Sequence, residues 1–397
     1  MARLNSYYKK LKREYIFPII EEKLLKLQKE SPHLKPINLG VGDVALPLAP
    51  SIAKAVCRAT EEMATRVIGY GPSDGYLFLK EAIVKNSYSN MGISPDEIFI
   101  SDGTNTDTAN IQELFSLNNT VGILDPTYPV YLDTNIMAGR HSKIKLLPCT
   151  EENGFCPSPP KEHCDIIYLC TPNNPTGVAF TKNQLKEWVL YAQRENAVLL
   201  IDHAYDAFVT SQDVPKSIFE IEGAKEVAIE FKSFSKSAGF TGLRCAYTVL
   251  PKTVHQGKLY PLWKKRQSVK SNGVSYPIQK GAEAALSPQG KEETIAQVNT
   301  YLKEAGRLKE GLTKMGYTVF GGENSPFVWW KTPNLLTSWE FCDLLLKKCQ
   351  IISVPGSGFG KQGEGYVRLS AFTTPENSQT ALEAVAKLKV RPNFGLF

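Results

Sequence analysis

None of the eight cysteines (Cys57, Cys149, Cys156, Cys164, Cys170, Cys245, Cys342, Cys349) forms a C-x-x-C pair, and none sits at a zinc-like spacing to a histidine. His163 and Cys164, with Cys156 and Cys170 on either side, come nearest, and buried free thiols are the expectation there, with no metal. No secretory signal is recognisable at the start, which points to reduced thiols in the cytoplasm. A G-x-x-x-x-G-K-[ST] loop is also missing, so ATP chemistry has no anchor. No long basic run, internal repeat or low-complexity tract occurs; 46 Lys and Arg against 40 Asp and Glu leave a net charge of only +6, spread along the chain. Nucleic acid is therefore not expected as a partner, whereas anionic small molecules suit this balance. At 42% hydrophobic and 22% charged, the composition is that of an ordinary soluble globular protein, with no membrane segment.

At 397 residues the chain is long for one domain, so two are expected. The run YIFPIIEEKLLKLQKES, residues 15–31, has apolar residues at helical spacing, with Pro18 in the first turn and Pro32 just beyond the end, and reads as an N-terminal arm helix. INLG follows as a short strand. EIFISDG, TVGILDP, DIIYLCTP, AVLLIDHAY and VAIEFKSF are then continuous apolar runs without alternation, several of them separated by helical stretches such as TKNQLKEWVLYAQREN. Such strands are buried on both faces, which predicts an α/β domain with a mainly parallel central sheet flanked by helices. After Pro288 a long charged helix leads into YTVF, FVWWK, IISVP and YVRLSA, the pattern of a smaller α+β domain. The expected division is an arm and first part of the small domain over 1–47, the large domain over 48–286, and the small domain over 287–397.

Two motifs are decoys. GFGKQG at 358–363 fits G-x-G-x-x-G, but a strand-like run follows where a dinucleotide site needs a helix. Ser233 to Lys236 fits the S-x-x-K of serine acylases, yet the companion S-D-N and K-T-G elements are absent.

In sheets of this kind ligands gather at the carboxyl ends of the strands, and each apolar run here ends in polar or glycine residues. Lys236 follows VAIEFKSF, with Ser233, Ser235 and Arg244 around it as donors suited to a phosphate. Asp202 ends AVLLI, a buried place where an unpaired carboxylate is costly and a cationic partner would satisfy it. Tyr205 lies three residues on, and Asn174 sits in PNNPTG. Gly103, Thr104 and Asn105 lie between a strand and a helix, a natural cradle for an anion. Taken one at a time these residues have ordinary readings as turn and loop side chains. Taken together they meet the needs of pyridoxal 5′-phosphate: a lysine for its aldehyde, a carboxylate for its ring nitrogen, donors for its ring oxygen and its phosphate.

The segments DPTYPVY, PNNPTG, IDHAYDAF, SFSKSAGFTGLR and VRLS, in this chain order, resemble the signature set of the fold-type-I pyridoxal-phosphate-dependent aminotransferases. The resemblance implies Lys236 as the Schiff-base lysine, Asp202 at the pyridine nitrogen, and Tyr205 and Asn174 at the ring oxygen. It implies Tyr128 stacked on the ring, Ser233, Ser235, Arg244, Thr104 and Asn105 at the phosphate, and Arg368 on the substrate α-carboxylate. Tyr70 resembles a phosphate ligand that reaches the neighbouring subunit, so a homodimer with shared active sites is implied. The arm, INLGVGDVALPLAP, VIGYGPSDGYLFLKEAI, SNGVSYPIQKGAEAAL and VPGSGFGKQGEGYVRLSAF are similar to the LL-diaminopimelate aminotransferase branch. That branch converts tetrahydrodipicolinate and glutamate to LL-2,6-diaminopimelate and 2-oxoglutarate in lysine and peptidoglycan precursor synthesis. By analogy Tyr15, Gly40 and a partner subunit's Asn272 would line the substrate site. Asn105 and Ser73 depart from the lysine and glutamate of that branch, and Asp74 is a candidate to supply the carboxylate instead. A broad aromatic or kynurenine-type aminotransferase and a β-lyase share every cofactor residue. A non-catalytic cofactor-binding regulator would usually carry a DNA-binding domain, and only one arm helix precedes the core.

Overall fold

The computed structural model describes residues 2–11, 16–30, 32 and 35–388. Among them are thirteen strands: β1 (Ile37–Asn38), β2 (Ile98–Ser101), β3 (Val121–Asp125), β4 (Ile144–Pro148), β5 (Ile166–Cys170), β6 (Val198–Asp202), β7 (Ala228–Ser233), β8 (Ala246–Val249), β9 (Val319–Gly321), β10 (Phe327–Lys331), β11 (Ile351–Ile352), β12 (Val354–Pro355) and β13 (Tyr366–Ser370). The large sheet has seven strands in the order β2-β8-β7-β6-β5-β3-β4. Neighbours from β7 to β4 run parallel, and β8 runs antiparallel to both β7 and β2.

Every residue of β2, β3, β5, β6, β7 and β8 is buried. Their side chains alternate between two apolar layers, as the strand period requires. Leu199 and Ile201 of β6 join Ile167 and Leu169 of β5 on one face; Val198 and Leu200 join Ile166 and Tyr168 on the other. Each such side chain contributes about 1.5–3 kcal/mol by leaving water. Helices cover both layers. The helix Lys182–Glu195 starts with a capping box, Thr181 with Gln184, and buries Leu185, Trp188, Val189 and Ala192 along one stripe.

Two strands carry weaker sequence signals. β4 is an edge strand with mixed exposure, and β8 follows β7 after a loop whose single helical turn, Phe234–Ser237, does not cross the sheet, and it runs antiparallel.

The long helix Pro288–Lys314 begins at Ser287, whose side chain accepts from the Gly290 N–H, and buries Val298, Tyr301, Ala305, Leu308 and Leu312 at alternating spacings of three and four. It packs near a four-stranded antiparallel sheet in the order β12-β13-β10-β9, while β1 pairs in parallel with β11. An aromatic cluster of Tyr205, Phe208, Tyr301, Phe327 and Phe372 joins this part to the end of β6. GFGKQG forms two 3-10 turns before β13, a loop as its sequence context indicates.

Candidate active site

A cavity of about 330 Å³ opens at the carboxyl ends of β5, β6 and β7, closed on the far side by β10 and β13. β7 ends at Ser233, which caps a single turn of helix, Phe234–Ser237: its Oγ accepts from the Ser235 N–H at 3.0 Å. That turn carries Lys236 into the cavity. Its Nζ donates to the Gly42 carbonyl and lies 5.3 Å from the Phe372 ring centre. Burial brings its pKa down from 10.5 to about 8; Asp43 opposes this, while Arg368 and Arg244 act in the same direction.

Asp202 ends β6 and is buried at 6% exposure. Its Oδ2 accepts from the Tyr131 hydroxyl at 2.6 Å and its Oδ1 from the Ala204 N–H at 3.0 Å. Burial raises its pKa in spite of both bonds. A carboxyl so placed, facing a cavity, favours a cationic partner there. Tyr205, also buried, rests edge-on against Phe327 at 5.0 Å.

Arg244 adopts φ 65°, the left-handed region that a non-glycine residue seldom occupies. Its Nη1 donates to Ser235 Oγ at 3.3 Å and to the Thr241 carbonyl at 3.2 Å. A Cβ on Gly103 would lie 2.5 Å from Arg244 Nη2, so the absence of a side chain there lets the guanidinium close over the start of the helix Thr104–Asn110. Thr104, Ser233, Ser235 and Arg244 thus present hydroxyls and a guanidinium at one end of the cavity. Tyr128 lines its wall and donates to Asn105 Oδ1 at 3.0 Å.

Arg368 comes from β13 and is 1% exposed. Its Nη1 donates to Asn174 Oδ1 at 2.6 Å and its Nη2 to the Gly40 carbonyl at 2.5 Å, with the guanidinium 4.5 Å from the Phe327 ring centre. Asn174 accepts through its oxygen, leaving its NH₂ to donate into the cavity.

Lys236, Asp202, Tyr205, Asn174, Tyr128, Thr104, Asn105, Ser233, Ser235, Arg244 and Arg368 therefore line one cavity; Gly103 and Gly40 support it from behind. Tyr70, 90% exposed, and Asn272, also exposed, lie away from it, and Tyr15 falls outside the described residues. Asp74 is engaged to Lys80 at 2.7 Å within the chain, so it already has a cation. His163 sits between Asp165 and Glu195, each at 3.1 Å. Among the described residues no cluster of His, Cys, Asp and Glu is arranged to hold a metal, and no helix is long and apolar enough to cross a membrane. Sequence reasoning missed Tyr131, Gly42, Thr241 and Phe327 in the lining. None of these carries a local signal: Tyr131 reads as an ordinary core tyrosine of the helix Val130–Ala138 until the fold brings it beside Asp202.

The family model described as aminotransferase class I and II matches residues 35–385. The chain belongs to the class I and II aminotransferases. This aminotransferase is 49% identical over 408 aligned positions, 98% of the chain and 99% of the relative, to the LL-diaminopimelate aminotransferase of Methanosphaera stadtmanae. Among solved structures it is similar to the L,L-diaminopimelate aminotransferase of Chlamydomonas reinhardtii, at 40% identity and a TM-score of 0.92 over 96% of the chain and 98% of that one. The aromatic aminotransferase of Pyrococcus horikoshii is more distant, at 25% identity and a TM-score of 0.81 over 93% of the chain and 98% of its own. The fold is that of these aminotransferases: a mostly parallel sheet flanked by helices, with a smaller antiparallel sheet.

Proposed function

We propose that the chain is a pyridoxal-phosphate-dependent LL-diaminopimelate aminotransferase. It would convert tetrahydrodipicolinate and L-glutamate to LL-2,6-diaminopimelate and 2-oxoglutarate in two half-reactions of ping-pong type. The chemistry rests on one observation above all: Lys236, with its lowered pKa, and the buried Asp202 face the same cavity. The substrate assignment rests on the 49% identity over nearly the whole chain to an enzyme of that name.

The donor set fits pyridoxal 5′-phosphate. Hydroxyls and the Arg244 guanidinium gather at a glycine where a Cβ would collide, which suits a phosphate dianion. At the other end, a buried carboxyl with a raised pKa suits a protonated ring nitrogen. When bound, the cofactor supplies an aldehyde that condenses with amines and a ring that accepts the electron pair left when a Cα–H bond breaks. Asp202 would keep the ring nitrogen protonated; Tyr205 and the Asn174 amide would hold the ring oxygen, and Tyr128 would cover one face. Gly103, Thr104, Asn105, Ser233, Ser235 and Arg244 would hold the phosphate. Arg368, its guanidinium already oriented by Asn174 and Gly40, would take the substrate α-carboxylate bidentately. The Lys236 amine, once displaced by the incoming amino acid, would accept the proton from the substrate Cα and deliver it on the same face. The aromatic wall of Tyr128, Tyr205 and Phe327 would keep water from competing for that proton.

Tyr70 and Asn272, both exposed, would complete the sites of a second copy of the chain in a homodimer, and Tyr15 would approach from the arm. The division at 1–47, 48–286 and 287–397 and a cytoplasmic setting belong to the same reading. Lys236→Ala is expected to abolish both the cofactor absorption band near the visible edge and turnover. An Ala variant that still transaminates would overturn the assignment.

A further inference from the structure

We propose that Tyr131 is a positioning residue for Asp202, aiming its carboxylate into the cavity through its hydroxyl. The inference rests on reading the cavity as a pyridoxal phosphate site. Tyr131 lies in the first turn of the helix Val130–Ala138, and its side chain is 1% exposed. Its O–H donates to Asp202 Oδ2 at 2.6 Å, the short distance of a bond from a hydroxyl to a carboxylate. The Ala204 N–H takes the other oxygen, so two donors from two different elements fix the carboxylate plane.

The ring itself is held independently of that bond. It stacks on Tyr168 at 5.1 Å and 18° and meets Tyr128 edge-on at 6.0 Å and 78°. Tyr168 in turn donates to the Thr108 carbonyl at 3.1 Å, in the helix that starts at Gly103. One aromatic column therefore links the anion cradle to the carboxylate. A phenylalanine would fill the slot equally well, so packing does not account for the hydroxyl. The titratable groups that face Asp202 are Tyr131, His203 beside it, Cys170 at the end of β5, and Tyr205. Tyr131 is the one whose side chain bonds it and favours its charged form; His203 favours that form through its charge alone.

The test compares wild type and Tyr131→Phe by measuring the dissociation constants of pyridoxal phosphate and of its 1-deaza analogue, whose ring has carbon in place of nitrogen. The hydrogen bond to a charged group predicts that the variant loses about 10-fold in affinity for the cofactor and about 2-fold or less for the analogue. The acid limb of cofactor binding should also move to higher pH, because Asp202 without its donor protonates more readily. In an Asp202→Asn background the Tyr131→Phe change should cost about 2-fold or less, a result that does not depend on any one variant's stability. Equal weakening for cofactor and analogue, or no weakening for either, would overturn the role given to Tyr131 while leaving the cofactor site standing. A wild-type chain that fails to bind pyridoxal phosphate would instead remove the reading on which the inference rests.

Discussion

The lowered pKa of Lys236 is a quantitative claim about an amine in a cavity. An ordinary lysine at 10.5 has about one neutral amine in 3,000 at pH 7, whereas one at about 8 has about one in ten, so the neutral, nucleophilic form of Lys236 should be about 300-fold more populated than that of a surface lysine. That difference corresponds to about 3 kcal/mol, and burial is its largest cause. Asp43, exposed and accepting from the Val44 N–H through its side chain, opposes the effect from nearby. Asp43→Asn should therefore move the midpoint further down. The assay is competitive labelling of the cofactor-free protein with a trace acylating reagent from pH 6 to 11, read lysine by lysine by mass spectrometry. Lys236 should label with a midpoint near 8 in the wild type and lower in the variant. A Lys236 curve that tracks an exposed lysine such as Lys264 would refute the desolvation argument.

Gly103→Ala should leave the fold intact, because Arg244 can swing its guanidinium away from the new Cβ, but should weaken cofactor affinity about 10-fold or more; equilibrium dialysis checks this. Asp107, buried under Ser101 and Thr248 hydroxyls at 2.6 and 2.8 Å, has its carboxyl pushed up from 3.8 to about 7, chiefly by burial. The folded state thus holds a proton that the unfolded chain releases near pH 4, and stability should fall as pH rises from 4 to 7, by about 4 kcal/mol in all. Asp107→Asn keeps an oxygen for both hydroxyls and should remove that slope, matching wild type near pH 4 and exceeding it at pH 8 in urea unfolding; no gain at pH 8 would contradict it.

Asp202 and Lys236 were legible because each is a charge at the end of an apolar strand, a placement that only function or a buried partner explains. The parallel core strands were legible for the same reason, being continuous apolar runs. β8 was less so: AYTV has the composition of the other strands, and nothing in it marks that it runs antiparallel to β7. Arg368 was named from its motif, but its bonds to Asn174 and Gly40 join three distant segments and have no local signal. Tyr131 was hidden because a tyrosine in an apolar helix face reads as core; only the fold brings its hydroxyl to Asp202. Asp74, offered as a substitute carboxylate, turns out to neutralise Lys80, a partner six residues along the chain.

The most direct test of the proposed function is the specificity constant of the purified, cofactor-loaded protein with 2-oxoglutarate as acceptor and LL-diaminopimelate, phenylalanine, kynurenine or cystathionine as the second substrate. The account predicts formation of the cyclised diaminopimelate product with a kcat/KM far above that for the other three. Turnover of the aromatic amino acids with none of LL-diaminopimelate would contradict it.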